Sequence, residues 1–280
     1  MAGGQEFDAC EFSSSEFISR FSANQCPFVA LPVFPSRAFR HGFIAVNRNV
    51  IRTPKDLEGK RIGLPMYTMT ASIFIKGLLQ HDCGVDLSGV TWVQGQINGG
   101  QQHGDPSTMP LVRPIKIEQN ATGRSLSDLL EAGDLQAVVG TTMPKALGRN
   151  PDIVRLFPNF REAEKDYYRR TKIFPIMHTV VIRKDVYEKH PFLATSLYKA
   201  LCAAKDHALA KMRYVGALRY MLPWMTDDMD EMDQVFGPDP WPYGIKPNRP
   251  TLEALVTYLH DQGLIKAPIP IEDLFVPVHG

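Results

Sequence analysis

The chain has 280 residues, 44% of them hydrophobic and 22% charged, which suits one large globular unit or two modest ones with a sizeable core. Thirty-one Lys and Arg against 30 Asp and Glu leave a formal net charge of +1, too little basic excess to neutralise a phosphate backbone, so nucleic acid is excluded as a partner. No apolar run approaches the roughly 20 residues of a membrane span, and residues 1–16 are polar and acidic, unlike a secretory leader.

Residues 7–12 (FDACEF) predict a strand, and Ser13 followed by Glu16 predicts a capping box opening a helix. The apolar run 27–34 (PFVALPVF) reads as a strand buried on both faces, and 41–47 (HGFIAVN) as another. Thr53-Pro54 starts a short helix, and 60–65 forms the next strand. Residues 71–80 (ASIFIKGLLQ) repeat apolar side chains at helical spacing up to Gly84, and 91–94 is a short strand. The stretch 95–123 is rich in Gly, Gln and Pro; it reads as a mobile loop or as a small arm contacting another subunit of a homo-oligomer. Residues 126–132 are helical, 135–140 (LQAVVG) a strand, and Pro144 suits the first turn of a following helix. Residues 160–170 form a charged helix, and 174–183 (FPIMHTVVIR) a long strand interrupted near its start by Pro175. From Asp185 onward helices dominate, chiefly 193–212 and 251–262, with the aromatic turn 241–244 (WPYG) between them. Strands alternating with helices predict an α/β fold with mainly parallel sheets, and two lobes would set a ligand at strand carboxyl ends and helix N-termini.

Cys10, Cys26, Cys83 and Cys202 include no C-x-x-C pair, so a zinc ribbon or thioredoxin-like motif is not supported. Scattered thiols suit a reducing, cytoplasmic setting. The sequon at Asn120 reads as chance in a chain without a leader. No nucleotide-binding glycine motif is present, and His81-Asp82-Cys83 and His103-Gly104-Asp105 lack the spacing that brings ligands onto one metal ion.

Six blocks of the chain, spread over most of its length and in order, resemble 4,5-dihydroxyphthalate decarboxylases: PSRAFRH (35–41), GLPMYTMTA (63–71), YYRRT (167–171), FPIMH (174–178), WPYG (241–244) and PNR (247–249). A seventh, KDLEGKRIG (55–63), is shared more widely with solute-binding proteins of ABC transporters. The resemblance implies a type 2 periplasmic-binding-protein-like fold: two α/β lobes joined by two crossover segments, here residues 1–50 with 180–280 as lobe one and 51–179 as lobe two. Members of this family usually begin with a further strand and helix ahead of the one at Phe7, and the chain reads as lacking them. The implied activity is non-oxidative decarboxylation of 4,5-dihydroxyphthalate to 3,4-dihydroxybenzoate and CO2 in phthalate degradation, by a lyase that needs no organic cofactor and no metal. The alternatives are a solute-binding protein for an aromatic acid, and another enzyme built on the same scaffold.

That chemistry needs cations for a dicarboxylate and an acid to protonate the ring carbon. Arg37, Arg40 and His41 follow a buried strand; they read as a carboxylate grip or as a solvated basic turn, with Arg40 the main clamp because a planar fork matches a carboxylate. Tyr67, Thr68 and Thr70 lie between a strand and a helix, as an anion seat or simple helix caps. Ser13 and Ser14 behind the first strand, and Thr141 and Thr142 behind LQAVVG, carry the same two readings. His178 interrupts an apolar strand and is the candidate general acid, with His41 as runner-up; a packed core histidine is the competing reading. Tyr167 to Arg170 close over a ligand or form a solvated helix face.

Overall fold

The computed structural model describes residues 4–99 and 109–279. Its strands form two sheets. The smaller holds β1 (Ala9–Ser13), β2 (Phe28–Leu31) and β9 (His178–Arg183) in the order β1-β9-β2. β9 runs antiparallel to both neighbours, with Ser13 opposite His178 and Leu31 opposite Val180. The larger sheet takes β3 (Ile44–Asn47), β4 (Arg61–Leu64), β5 (Thr91–Gln94), β6 (Ile117–Gln119), β7 (Ala137–Val139) and β8 (Ile153–Arg155) in the order β6-β5-β4-β7-β3-β8. Strands β6, β5, β4 and β7 are parallel, and β3 is antiparallel to β7 and β8. The parallel pairing follows the sequence expectation, whereas the smaller sheet is antiparallel throughout.

Eight α-helices surround the sheets among the described residues: α1 (Ser14–Ser22), α2 (Thr70–Gly77), α3 (Leu126–Glu131), α4 (Phe160–Thr171), α5 (Lys184–Lys189), α6 (Phe192–Arg213), α7 (Met225–Phe236) and α8 (Ile245–Asp261). None is long and apolar enough to cross a membrane. Helix α1 starts where the sequence puts it, but without the expected capping box: the Ser13 side chain makes no cap bond, and Glu16 pairs with Arg20 at 2.6 Å. Reciprocal capping boxes form instead at Thr53/Asp56 and Ser125/Asp128. Residues 145–149 form turns rather than the helix expected at Pro144. β6 and β8 are strands that the sequence did not predict; at three residues each they are too short for an alternation pattern to register.

The helical tail serves both sheets. Ala194 of α6 packs on Leu31, Val33, Val180 and Ile182 of the smaller sheet region. Leu252, Leu255 and Leu259 of α8 join a continuous core with Phe17 of α1, Ile73 of α2 and Ile62 of β4. Gly77 permits this contact, because a Cβ there would collide with the Tyr258 ring. Gly244, at φ +91°, turns the chain into α8 and donates its N–H to Pro32 O at 2.8 Å.

The two segments linking the sheets run against each other. Arg37 and Ile176 form an antiparallel bridge, Ala38 N–H donates to Pro175 O (3.2 Å), and Met177 N–H donates to Ser36 O (2.8 Å). This double crossover carries the PSRAFRH and FPIMH blocks side by side.

Candidate active site

Buried cations define the crossover. Arg37 and Arg40 are each only 8% exposed. Among the described residues neither guanidinium lies within 4 Å of a carboxylate, and each retains a buried Nε without an acceptor. Arg37 donates from Nη2 to Pro242 O (2.7 Å) and to Asn248 Oδ1, between the rings of Phe34 and Phe174. Arg40 donates from Nη2 to Met177 Sδ at 2.8 Å, a weak acceptor, and lies over Phe43. Burial pushes both guanidinium pKa values down to about 10; Glu164 pulls Arg40 back only in part. A guanidinium buried against aromatic rings and sulfur is under-partnered, and a planar anion would supply the missing acceptors.

Hydroxyls gather where α1 and α2 begin. Ser13 Oγ lies 3.0 Å from Thr70 Oγ1 and 3.2 Å from Ser15 Oγ. Ser15 N–H donates to Thr70 Oγ1 (3.1 Å), and Ser15 Oγ–H donates to Thr68 O (2.8 Å). The first-turn N–H groups of a helix lack helical acceptors, so two helix starts facing one hydroxyl cluster make a positive, donor-rich surface. Ser14 N–H donates to Met177 O at 3.0 Å, which ties this cluster to the crossover, while the Ser14 hydroxyl is buried without a partner.

The two candidate histidines have opposite surroundings. His178 is half-exposed at the start of β9, opposite Ser13, and its Nδ1 meets Glu11 Oε1 at 2.6 Å. A carboxylate only accepts, so Nδ1 carries the hydrogen and Nε2 is left to exchange a proton. His41 is buried edge-on to Phe157 and Tyr167, with Nδ1 3.8 Å from Glu164 and no hydrogen-bond partner. Burial lowers its pKa to about 4. At neutral pH only about a thousandth of it is imidazolium, which makes His41 a poor proton donor.

The structure therefore brings Arg37, Arg40, Ser13, Ser14, Thr68, Thr70 and His178 to one crossover. Two candidates lie elsewhere. Tyr67 is buried against Trp92 and donates its hydroxyl to Gln262 O (3.2 Å), and burial pushes its pKa up to about 12. Thr142 is exposed and makes no side-chain hydrogen bond among the described residues. On α4, Tyr167 packs on His41 while Arg170 pairs with Asp82 and Asp166. His103 and Asp105 lie outside the described residues, and among those described no cluster of three His, Cys, Asp or Glu forms a metal site.

Residues that sequence reasoning passed over complete the picture. Ser15 is the hub of the hydroxyl cluster, and the run Ser13-Ser14-Ser15 was its visible signal. Glu11 sits two residues from Ser13, on the strand face it shares with the position opposite His178. Asn248 accepts from Arg37 and donates to Pro242 O and Gly244 O, which accounts for the PNR block. Glu164 accepts from Gly42 N–H at 3.3 Å, and burial pushes its carboxyl up.

No protein-family model matches the chain. A 4,5-dihydroxyphthalate decarboxylase of Comamonas testosteroni is 33% identical over 279 residues, covering 97% of this chain and 83% of that one. A 4,5-dihydroxyphthalate decarboxylase of Pseudomonas putida is 36% identical over 168 residues, 59% of this chain and 64% of that one. Among solved structures, a sulfonate ABC transporter's periplasmic sulfonate-binding protein from Methylobacillus flagellatus superposes with a TM-score of 0.54 at 14% identity, over 98% of this chain and 74% of that one. That likeness shows the periplasmic-binding-protein-like fold alone. With a third of its residues shared along nearly its whole length, the chain belongs to the 4,5-dihydroxyphthalate decarboxylase family.

Proposed function

We propose that the chain is a carboxy-lyase that converts 4,5-dihydroxyphthalate to 3,4-dihydroxybenzoate and CO2 in the cytoplasm, as a step of phthalate breakdown. The observation that carries the reading is the pair of buried arginines without carboxylate partners, set beside a histidine with an exchangeable Nε2. In this reading Arg40 and Arg37 take the carboxylates, and the Ser13, Ser14, Thr68 and Thr70 groups at the two helix starts take the remaining charge. The scissile bond joins a ring carbon to one carboxylate. Its electron pair stays on the ring carbon as CO2 leaves, and a ring hydroxyl pushes density toward that carbon. The Nε2 proton of His178 then completes the new C–H bond, while Glu11 holds the imidazole by Nδ1. No electron is gained or lost, so neither an oxidant nor an organic cofactor is required.

The same reading makes the double crossover the border between lobes. Lobe one is then the smaller sheet with its helices, and lobe two the six-stranded sheet. In this reading the first border lies before Ile44, with β3 counted to the larger sheet in which it pairs. Incubating the protein with 4,5-dihydroxyphthalate and measuring CO2 with 3,4-dihydroxybenzoate tests the activity. Stoichiometric release of both is expected. Saturable binding with neither product would leave a solute-binding protein instead.

A further inference from the structure

Helices α6 and α7 are joined by an apolar segment that nothing in the chain covers. Of the 22 residues of α6 only Ala194 is buried, and α7 buries Met225 and Met229. Arg213 at the end of α6 ties the two helices together by donating twice to Asp233 of α7, at 2.6 and 2.5 Å. Every residue of the connecting segment 214–224 (YVGALRYMLPW) is exposed. Seven of the eleven are large and apolar; Met221 is wholly exposed and Trp224 72% exposed. Large apolar side chains exposed singly are ordinary, but these seven leave roughly 850 Å² accessible in one segment. That exceeds the roughly 300–600 Å² of the largest apolar patch on a typical monomer and matches the roughly 800 Å² per partner that a stable interface buries. The flanks are of opposite charge. α6 carries four Lys and Arg against one acid, whereas α7 carries five acids and no Lys or Arg. Among the described residues, Lys211 and Arg219 have no carboxylate within 4 Å, and Asp227 and Asp230 have no cation within 4 Å.

We propose that the segment 214–224 is a dimer interface, covered by the same segment of a second copy across a twofold axis. In such an interface each patch meets itself and every contact is made twice. The segment lies between the end of α6 and the start of α7. The axis therefore sets apolar residues on apolar residues and brings Lys211 and Arg219 of one copy opposite Asp227 and Asp230 of the other. Two flanks of like charge would repel across that axis, whereas opposite signs attract twice. An anionic lipid surface fits less well, because the acids of α7 begin directly behind Trp224. The inference does not depend on the decarboxylase reading.

Sedimentation velocity of the full chain tests this. A dimer is expected at low micromolar concentration. Met221→Glu with Trp224→Glu, both at exposed side chains, should weaken it at least tenfold. Asp227→Lys with Asp230→Lys should weaken it at least fivefold, and so should Lys211→Glu with Arg219→Glu. An equimolar mixture of those two charge-reversed proteins should recover a dimer within threefold of the wild-type affinity, because each offers the other the sign it lost. Thermal melts check that each variant is folded. A wild-type monomer overturns the proposal, including one that floats with phosphatidylserine vesicles. So does a dimer that Met221→Glu with Trp224→Glu leaves intact, or charge-reversed proteins that stay monomeric when mixed.

Discussion

The crossover and the face where α4 meets α7 both carry arginines, and they treat them in opposite ways. Across α4 and α7, Arg161 bonds Asp228 (2.5 Å) and Glu231 (2.7 Å), and Lys165 bonds Glu162 (2.6 Å) and Glu231. The Arg161 pairs are largely solvated, and exposed ion pairs contribute about 0–1 kcal/mol each. In the crossover Arg37 and Arg40 are buried, and rings, a carbonyl, an amide and a sulfur stand in for carboxylates. An unpaired buried cation costs on the order of several kcal/mol. Full pairing at the surface thus says little about function, while incomplete pairing in the interior marks where the fold carries a cost that a bound anion would offset.

The largest expected effect tests the acid beside those cations. His178→Gln should lower turnover by about 10²–10⁴-fold, the scale of general acid catalysis, with substrate affinity changing far less. A merely packed histidine would instead lower the melting temperature and leave turnover per folded molecule intact. Measuring both on one preparation separates the two roles.

Arg40→Ala should weaken dicarboxylate binding by about 2–5 kcal/mol, and Arg40→Lys should not fully restore it, because the fork is lost. Without ligand, Arg40→Met should cost less than about 1 kcal/mol of stability, since it removes an unpaired buried charge along with its stem. Calorimetric affinity and denaturant melts on the same variants check this. Unchanged affinity with a large stability loss would make Arg40 a structural residue.

Much of this contrast was legible in the sequence, and the rest was hidden for physical reasons. PSRAFRH and FPIMH sit far apart in the chain and were legible as family motifs, but that they pair through Arg37 and Ile176 was not, and the sequence set the first lobe border near residue 50, beyond PSRAFRH. Local pattern could say that Arg37 and Arg40 follow a buried strand; whether they lack carboxylates depends on every neighbour in three dimensions. Ser13 read as a helix cap, but Thr70, 57 residues later, takes its hydroxyl instead. Tyr67 shared a loop with Thr68 and Thr70, and only the packing of Trp92 and Gln262 turns it into the core instead. The short strands β6 and β8 exist through their partners rather than through their own propensity.

Within the crossover itself, pH should separate His41 from its surroundings. Its folded pKa of about 4 lies below the ordinary value near 6.5, so below about pH 6.5 the unfolded chain binds the extra proton. Stability from this group is full above about pH 6.5, falls as pH drops toward 4, and amounts to roughly 3 kcal/mol over that window. Glu164 acts in the opposite sense, because its carboxyl is pushed up and its contribution is lost as pH rises through the raised value. The difference between wild type and His41→Phe isolates the histidine. Denaturant melts from pH 4 to 7 should show a flatter pH dependence in the variant, and equal slopes would mean that His41 takes up its proton equally in the folded and the unfolded chain.

The smallest effect is expected at the surface network, and it closes the comparison. Arg161→Ala removes the donor to both Asp228 and Glu231, leaving two acids of α7 in solvent where water replaces it. Loss of stability should be below about 1 kcal/mol at physiological salt and smaller still at 1 M, where the screening length falls to about 3 Å. Turnover should stay as it is, because Arg161 touches none of the crossover side chains. The competing outcome runs through α4, which also carries Glu164 and Tyr167 facing His41: there α7 holds the crossover in place through α4. In that case Arg161→Ala would weaken substrate binding along with stability, and the surface charges would support the site rather than decorate it. Parallel measurements of melting at two salt concentrations and of substrate affinity distinguish a solvated charge face from a clamp.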